Sequence, residues 1–267
     1  MKRLLFYVVC VVVLASTIPS YAMPVGNIGA PGTLKKGLII KDENSKFGFI
    51  LGAEVDLNSD RNMKHQAKDT EYFFYGGKAG VTIADKAFVY GLVGGAEADQ
   101  KYKISNDQVE WDTKTDLAWG VGGTLVIYEK DVQYADNKGI LRIGIDGKYR
   151  SSDLGVDKVK VNDEIYNSTD ARLTEKKYNC DEWQVALGVS YQFDTFSPYA
   201  GVKYSDASGS AKATVSGQDP YQYDFNPKSN FGIFAGLDVL AFDSLSVNLE
   251  GRFIDETAFS AGTTLRF

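Results

Sequence analysis

The chain has 267 residues, a formal net charge of −6, 44% hydrophobic and 24% charged residues, and 27 Gly against 6 Pro. Its 16 Tyr and 15 Phe exclude disorder, the lack of any Gly period excludes a collagen-like repeat, and the acidic balance argues against nucleic acid as a partner. Two Cys and one His exclude a disulfide scaffold and argue against zinc, while a mean hydropathy of −0.21 with one long apolar run excludes a multi-span helical membrane protein.

Residues 1–22 read as a secretory signal peptide. Lys2 and Arg3 form a short positive region, Leu4 to Ala15 an apolar run too short to span a bilayer, and Ser20-Tyr21-Ala22 a small-residue cleavage site. Val13-Leu14-Ala15 is an alternative site, and an uncleaved anchor is the bland reading of the same run. Cleavage after Ala22 removes Cys10 and leaves Cys180 alone, so no internal disulfide is expected. Residues 23–45 form an N-terminal arm; within it Leu34 to Lys41 fits either a short strand or a segment in a lumen, and Asp42 to Ser45 reads as a turn.

Beyond the arm no segment keeps a helical apolar spacing, and period-2 alternation recurs throughout. Phe47, Phe49, Leu51, Ala53 and Val55 share a face opposite Gly48, Gly52, Glu54 and Asp56. Trp183, Val185, Leu187, Val189 and Tyr191 alternate with Gln184, Ala186, Gly188, Ser190 and Gln192. Ten strands follow, at 46–56, 70–83, 86–97, 116–128, 139–150, 181–193, 198–206, 229–240, 245–254 and 257–267. Long polar joins at 57–69, 98–115, 151–180 and 207–228 alternate with short turns at Ala84-Asp85, Asp194 to Ser197 and Ala241 to Ser244. The 129–138 join is somewhat longer, and the last hairpin, around Asp255-Glu256, is short at the long-loop end.

The fold class is therefore all-β. A soluble sandwich or barrel would turn the apolar face inward, and a transmembrane antiparallel barrel would turn it to lipid. Strand length, alternating joins, aromatics at strand ends (Tyr72, Phe73, Tyr128, Tyr149, Trp183, Tyr191, Phe193, Tyr204, Phe267) and Gly on the polar face favour the membrane barrel. The expected architecture is an up-and-down meander of about ten strands over 46–267, with eight or twelve as alternatives.

The C-terminus adds a specific motif. Ser260, Gly262, Leu265 and the terminal Phe267 occupy the four constrained positions of an eight-residue stretch that resembles the assembly signal of bacterial outer-membrane β-barrel proteins. The resemblance implies a small barrel of the porin-like superfamily, located in the outer membrane of a Gram-negative-type envelope and recognised by the barrel-assembly machinery. Outer-membrane lipid is then the second partner.

With the polar face inward, the lumen charges would be Lys78, Arg142, Lys148, Arg150, Lys203, Arg252 and Arg266 against Glu54, Asp56, Glu97, Asp146, Asp238 and Glu250. Near balance favours a salt-bridge network that shuts a narrow barrel over a selective channel. The acidic excess of 151–180 reads as a solvated outer face and lacks calcium-loop spacing, leaving an extracellular ligand open. The single His65, near Asp60 and Asp69, is a weak candidate for catalysis, and Cys180 reads as structural. The expectation is a monomeric, non-enzymatic barrel without cofactor or metal, with a structural or surface-interaction role. A small-solute porin is the alternative, ahead of a barrel enzyme or a soluble periplasmic β-protein.

Overall fold

The computed structural model describes residues 23–34, 37–39, 46–61, 67–104, 107–134, 137–216 and 220–267. Residues 1–22, with their cleavage sites and Cys10, and His65 lie outside this set. The described residues form fourteen strands: β1 (Phe47–Arg61), β2 (Ala67–Ile83), β3 (Ala87–Ile104), β4 (Asp107–Thr113), β5 (Asp116–Tyr134), β6 (Asn137–Leu154), β7 (Val156–Val161), β8 (Glu164–Asn167), β9 (Leu173–Gln192), β10 (Phe196–Val215), β11 (Tyr221–Phe225), β12 (Phe231–Phe242), β13 (Leu245–Phe253) and β14 (Glu256–Arg266).

Ten of them, β1, β2, β3, β5, β6, β9, β10, β12, β13 and β14, pair antiparallel with their sequence neighbours. The β1–β14 ladder, from Ile50↔Arg266 to Arg61↔Glu256, closes the sheet on itself. The result is an up-and-down barrel built from the ten strands expected from alternation. Closure removes the open sheet edges that lipid could not satisfy. Phe49, Leu51, Val89, Val121, Trp119, Val185 and Leu187 face outward, while Glu54, Asp56, Asp146, Lys148 and Arg252 are buried inside.

The joins differ from their expected form. β9 and β10 run 20 residues each, which at about 3.3 Å per residue far exceeds the ~30 Å hydrocarbon core even when tilted. The segments 98–115, 151–180 and 207–228 are therefore largely strand: extensions of β3, β9 and β10, carrying β4, β7, β8 and β11. Their polarity is inverted relative to the barrel. In β9 the outward residues pass from Val185 and Trp183 to Asp181, Asn179 and Lys177, while the inward ones pass from Gln184 and Glu182 to Cys180 and Tyr178. Above the membrane the outer wall meets water, so the apolar side chains turn in. They form a buried core in which Tyr102 stacks between Trp111 (4.6 Å) and Tyr223 (4.2 Å), beside Tyr178 and Phe225.

At the opposite, turn end, β2 and β3 join through Ala84 and Asp85, both with positive φ (51° and 53°). The 129–138 join is a hairpin of β5 and β6 that projects past the neighbouring turns, its ladder reaching Tyr134↔Asn137. Residues 23–34 enter the barrel from this end and lie inside it, with Met23, Val25, Ile28 and Leu34 buried and a 3-10 turn at Ala30–Gly32. Beyond Leu34, the amide of Leu38 donates to the Arg266 carbonyl at 3.0 Å; Lys41 lies outside the described residues.

Candidate functional site

Alternation aims every second residue of each barrel strand at the lumen, and the charged ones meet there in three tiers. At the turn end, the Arg142 guanidinium donates to Glu129 (2.6 Å), Gln192 (2.5 Å) and the Gly32 carbonyl (3.1 Å). Arg266 donates to Asp85 at 2.7 Å and to the Leu34 carbonyl.

The middle tier holds the arm. Glu250 accepts the backbone N–H groups of Val25 and Gly26, each at 2.8 Å, and the Tyr199 hydroxyl at 3.1 Å. Asp238 accepts from Asn27 at 2.8 Å and from Asn248 at 3.2 Å. Lys148 donates to the Pro24 carbonyl and sits 3.8 Å from Asp146, which accepts from Thr124 at 2.8 Å. Lys78 and Glu54 pair at 3.5 Å. Only about 60 Å³ stays open among these groups and the arm.

Toward the loop end, Arg252 reaches Asp56 (2.5 Å), Glu256 (2.9 Å) and Glu250 (3.4 Å). Arg150 pairs with Glu182 at 3.0 Å and lies 3.6 Å from Asp56, with its guanidinium 4.6 Å from the Tyr72 ring centre. Lys203 pairs with Asp255 at 2.9 Å and with Glu256. Arg252, Lys203, Asp56 and Asp255 have no solvent exposure. The short β13–β14 turn supplies Asp255 and Glu256 because Ile254, at φ 86°, swings its own side chain outward and the next carboxylate in.

Of the thirteen charges expected in the lumen, the structure brings twelve to the inner side and puts Glu97 elsewhere. Glu97 lies on the outer wall of β3, where it accepts the Thr115 hydroxyl at 2.9 Å. β3 has large apolar residues on both faces, Phe88, Tyr90 and Leu92 against Val89 and Val93, so its alternation carries no polar side to read. The inner side takes the stacked Phe88–Tyr90 pair, whose Tyr90 ring lies beneath Lys78 and Lys148. Tyr72, assigned to the strand-end aromatics, also points inward, onto Arg150. Sequence reasoning missed Glu182, Asp255 and Glu256. Glu182 could have been found by its parity with Gln184; the two turn residues depend on the backbone twist at Ile254.

Near both membrane boundaries the outer wall carries ring contacts: Trp183–Tyr204 (5.7 Å) and Trp119–Tyr149 (5.9 Å) toward the loops, and Tyr191–Phe193 (4.7 Å) toward the turns. Ser260 and Arg266 face inward on β14, Gly262 pairs with Glu54 and Leu265 with Leu51, and the Phe267 amide donates to the Phe49 carbonyl at 2.8 Å. Cys180 is buried in the loop-end core and forms no disulfide among the described residues. Among the described residues no group of three or more His, Cys, Asp or Glu is placed to hold a metal ion.

Above the membrane, Glu71, Asp99 and Asp112 stand directly opposite one another across β2, β3 and β4, with Lys158 next in line on β7. Partial burial, reinforced by Asp112, Glu71 and Glu97, pushes the Asp99 carboxyl up to about 6.

A closed ten-strand barrel with an apolar wall, aromatic borders and a charged interior is the architecture of a porin-like outer-membrane β-barrel. Residues 95–221 match the family model described as Chlamydia major outer membrane protein. The chain is 27% identical over 219 residues to the major outer membrane porin of Chlamydia trachomatis serovar L1, covering 61% of this chain and 56% of that protein. It is 26% identical to the serovar D porin of the same organism, covering 64% and 57%. The chain thus spans about half the length of the curated relatives it matches. Among solved structures it is similar to the transport unit of the autotransporter AIDA-I from Escherichia coli (14% identity, 92% of this chain and 99% of that one, TM-score 0.34). It is also similar to the translocator domain of NalP from Neisseria meningitidis (10%, 82% and 88%, 0.37).

Proposed function

We propose that this protein is a closed, non-enzymatic barrel with a structural and surface-interaction role in the outer membrane. In this reading the loop end faces the cell exterior, the turn end faces the periplasm, and the chain acts as a monomer without cofactor or metal. The observation that carries it is the loop-side tier of ion pairs, Arg252 with Asp56, Glu250 and Glu256 and Lys203 with Asp255 and Glu256, lying directly beneath the apolar loop-end core. Charges this deeply buried are costly unless paired, and the Arg252–Asp56 and Lys203–Glu256 pairs tie strands that are not neighbours in the barrel. A ten-strand barrel is only slightly wider than the eight-strand size that side chains fill. The β-structure projecting at the loop end supplies the surface for contacts outside the cell.

Planar-bilayer recordings test this. Refolded protein with heat-modifiable gel mobility is expected to give no conductance steps, and sustained steps would replace the reading by a small-solute porin. That second reading is favoured by the names of the sequence relatives, major outer membrane porins. Biogenesis follows the same proposal: export on residues 1–22, then recognition of Ser260, Gly262, Leu265 and Phe267 by the assembly machinery. Deleting Phe267 is expected to leave unassembled chain in the periplasm.

A further inference from the structure

We infer that the turn-end half of the lumen is a binding site for an uncharged peptide segment, and that residues 23–34 are its exchangeable occupant. This rests on the reading of the barrel as sealed at its loop end.

The barrel grips this segment mainly by its backbone. Glu250 takes two successive N–H groups, while Lys148, Arg142 and Arg266 take the carbonyls of Pro24, Gly32 and Leu34. Charge-assisted bonds to main-chain groups are strong and indifferent to side-chain identity. Selectivity comes from one notch. Gly144 and Gly188 are directly paired across β6 and β9. A side-chain carbon on either would overlap Ile28, which fills the space beside Ala186, Tyr199 and Phe234. The next residue, Gly29, fits only without a side chain, since a carbon there would overlap Ser190 Oγ and lie 3.3 Å from Arg142 Cδ. The site therefore reads an aliphatic residue followed by glycine at the start of a turn in an uncharged segment.

Release of the segment strands no charge on the wall. Glu250 keeps Arg252 and Tyr199, Asp238 keeps Asn248, Lys148 keeps Asp146, Arg142 keeps Glu129 and Gln192, and Arg266 keeps Asp85. The route out is present as well: an open cleft of about 700 Å³ at the turn end, lined by Thr33, Gln133, Lys138, Asp194 and Asp243. Vacated, the site is a blind vestibule open to the turn side, because the Arg252 tier and the loop-end core lie beyond it.

The test uses the full chain carrying Ile28→Asp, which sets a carboxylate in the apolar notch and leaves the barrel wall untouched. A fluorescein-labelled peptide of residues 23–34 is titrated into refolded protein and followed by anisotropy. The I28D chain is expected to keep its heat-modifiable mobility and bind the peptide saturably. Wild type, already occupied, should bind at least tenfold more weakly, as should the I28D chain toward a peptide carrying the same substitution; burial of one aliphatic side chain corresponds to roughly tenfold or more in affinity. A folded I28D chain that ignores the peptide overturns the inference, and so does equal binding by wild type. Loss of the folded mobility in both I28D and a second variant, Gly29→Leu, also overturns it, since the segment would then be part of the barrel's own core. Conductance of the wild type would instead defeat the closed-barrel reading, so the two failures are distinct.

Discussion

Arg252 is the residue on which most of the interior depends, because one guanidinium with no solvent exposure serves Asp56, Glu250 and Glu256. Replacing it by Met leaves three buried carboxylates to share Arg150, Lys203 and neutral donors, and breaking a buried pair from one side costs about 3–5 kcal/mol. Arg252→Met should lower the urea midpoint of refolded protein accordingly. Arg252→Lys should fall between, keeping the charge without the planar fork; a Lys variant as weak as Met would show that charge alone is not what holds the tier. Asp99 acts in the opposite sense. Its carboxyl is raised to about 6 by partial burial and by Asp112, Glu71 and Glu97, against the ordinary 3.8. The folded state therefore binds its proton more tightly than the unfolded chain, and stability is penalised once pH exceeds both values. Asp99→Asn should be more urea-resistant than wild type at pH 7 to 8, with the difference shrinking as pH falls through about 6 and gone below about 4. Identical midpoints at both extremes would remove the strain assigned to this carboxylate row. Much of the residue-level interior was legible from parity alone, as with Asp56, Arg150 and Lys203. Glu97 was not, because β3 is apolar on both faces, and Asp255 was not, because it reaches the lumen through a turn.

The strands that read most clearly from sequence are those whose two faces differ in both size and polarity, such as β6, β9 and β13. Their alternation survives because lipid and lumen demand opposite chemistry of neighbouring residues. The loop-end extensions were hidden for a related reason: the rule reverses where the wall leaves the membrane. Asp99, Lys101 and Lys103 facing water on β3, with Ala98, Gln100 and Tyr102 inside, look polar on average and so resemble a loop. The short strands β4, β7 and β8 are legible only once a core exists for Val109, Trp111, Val159 and Val161 to fill. That core should be separable from the barrel. Trp111→Ala opens a cavity worth about 3–5 kcal/mol, and among the described strands β4 pairs only with β3 and β7. Hydrogen exchange should therefore quicken across β4, β7 and β8 while β12, β13 and β14 keep their protection. Uniform acceleration of all strands would mean that extension and barrel unfold as one unit.

Across the molecule, three kinds of filling lie in series along one axis: a backbone-gripped segment at the turn end, an ion-pair tier in the middle and an aromatic core at the loop end. They differ in physics, so no single substitution removes more than one. The mean hydropathy of −0.21 conceals this arrangement because lipid-facing, lumen-facing and water-facing positions cancel in the average. Series closure makes a definite prediction for ion flow. Ile28→Asp empties only the turn-end vestibule, Trp111→Ala loosens only the loop-end core, and each alone should stay silent in planar bilayers. The pair combined should also stay silent, since Arg252 still ties β13 to Asp56 on β1 and to Glu256 on β14. Stepwise currents are expected only when Arg252→Ser is added to that pair, and they should select by charge, because Asp56, Glu250 and Glu256 would then line the constriction without their guanidinium. Cation preference in reversal-potential measurements is the corresponding sign. Currents from Ile28→Asp alone would mean that the 23–34 segment is the sole barrier and that the two tiers above it leave a continuous water path.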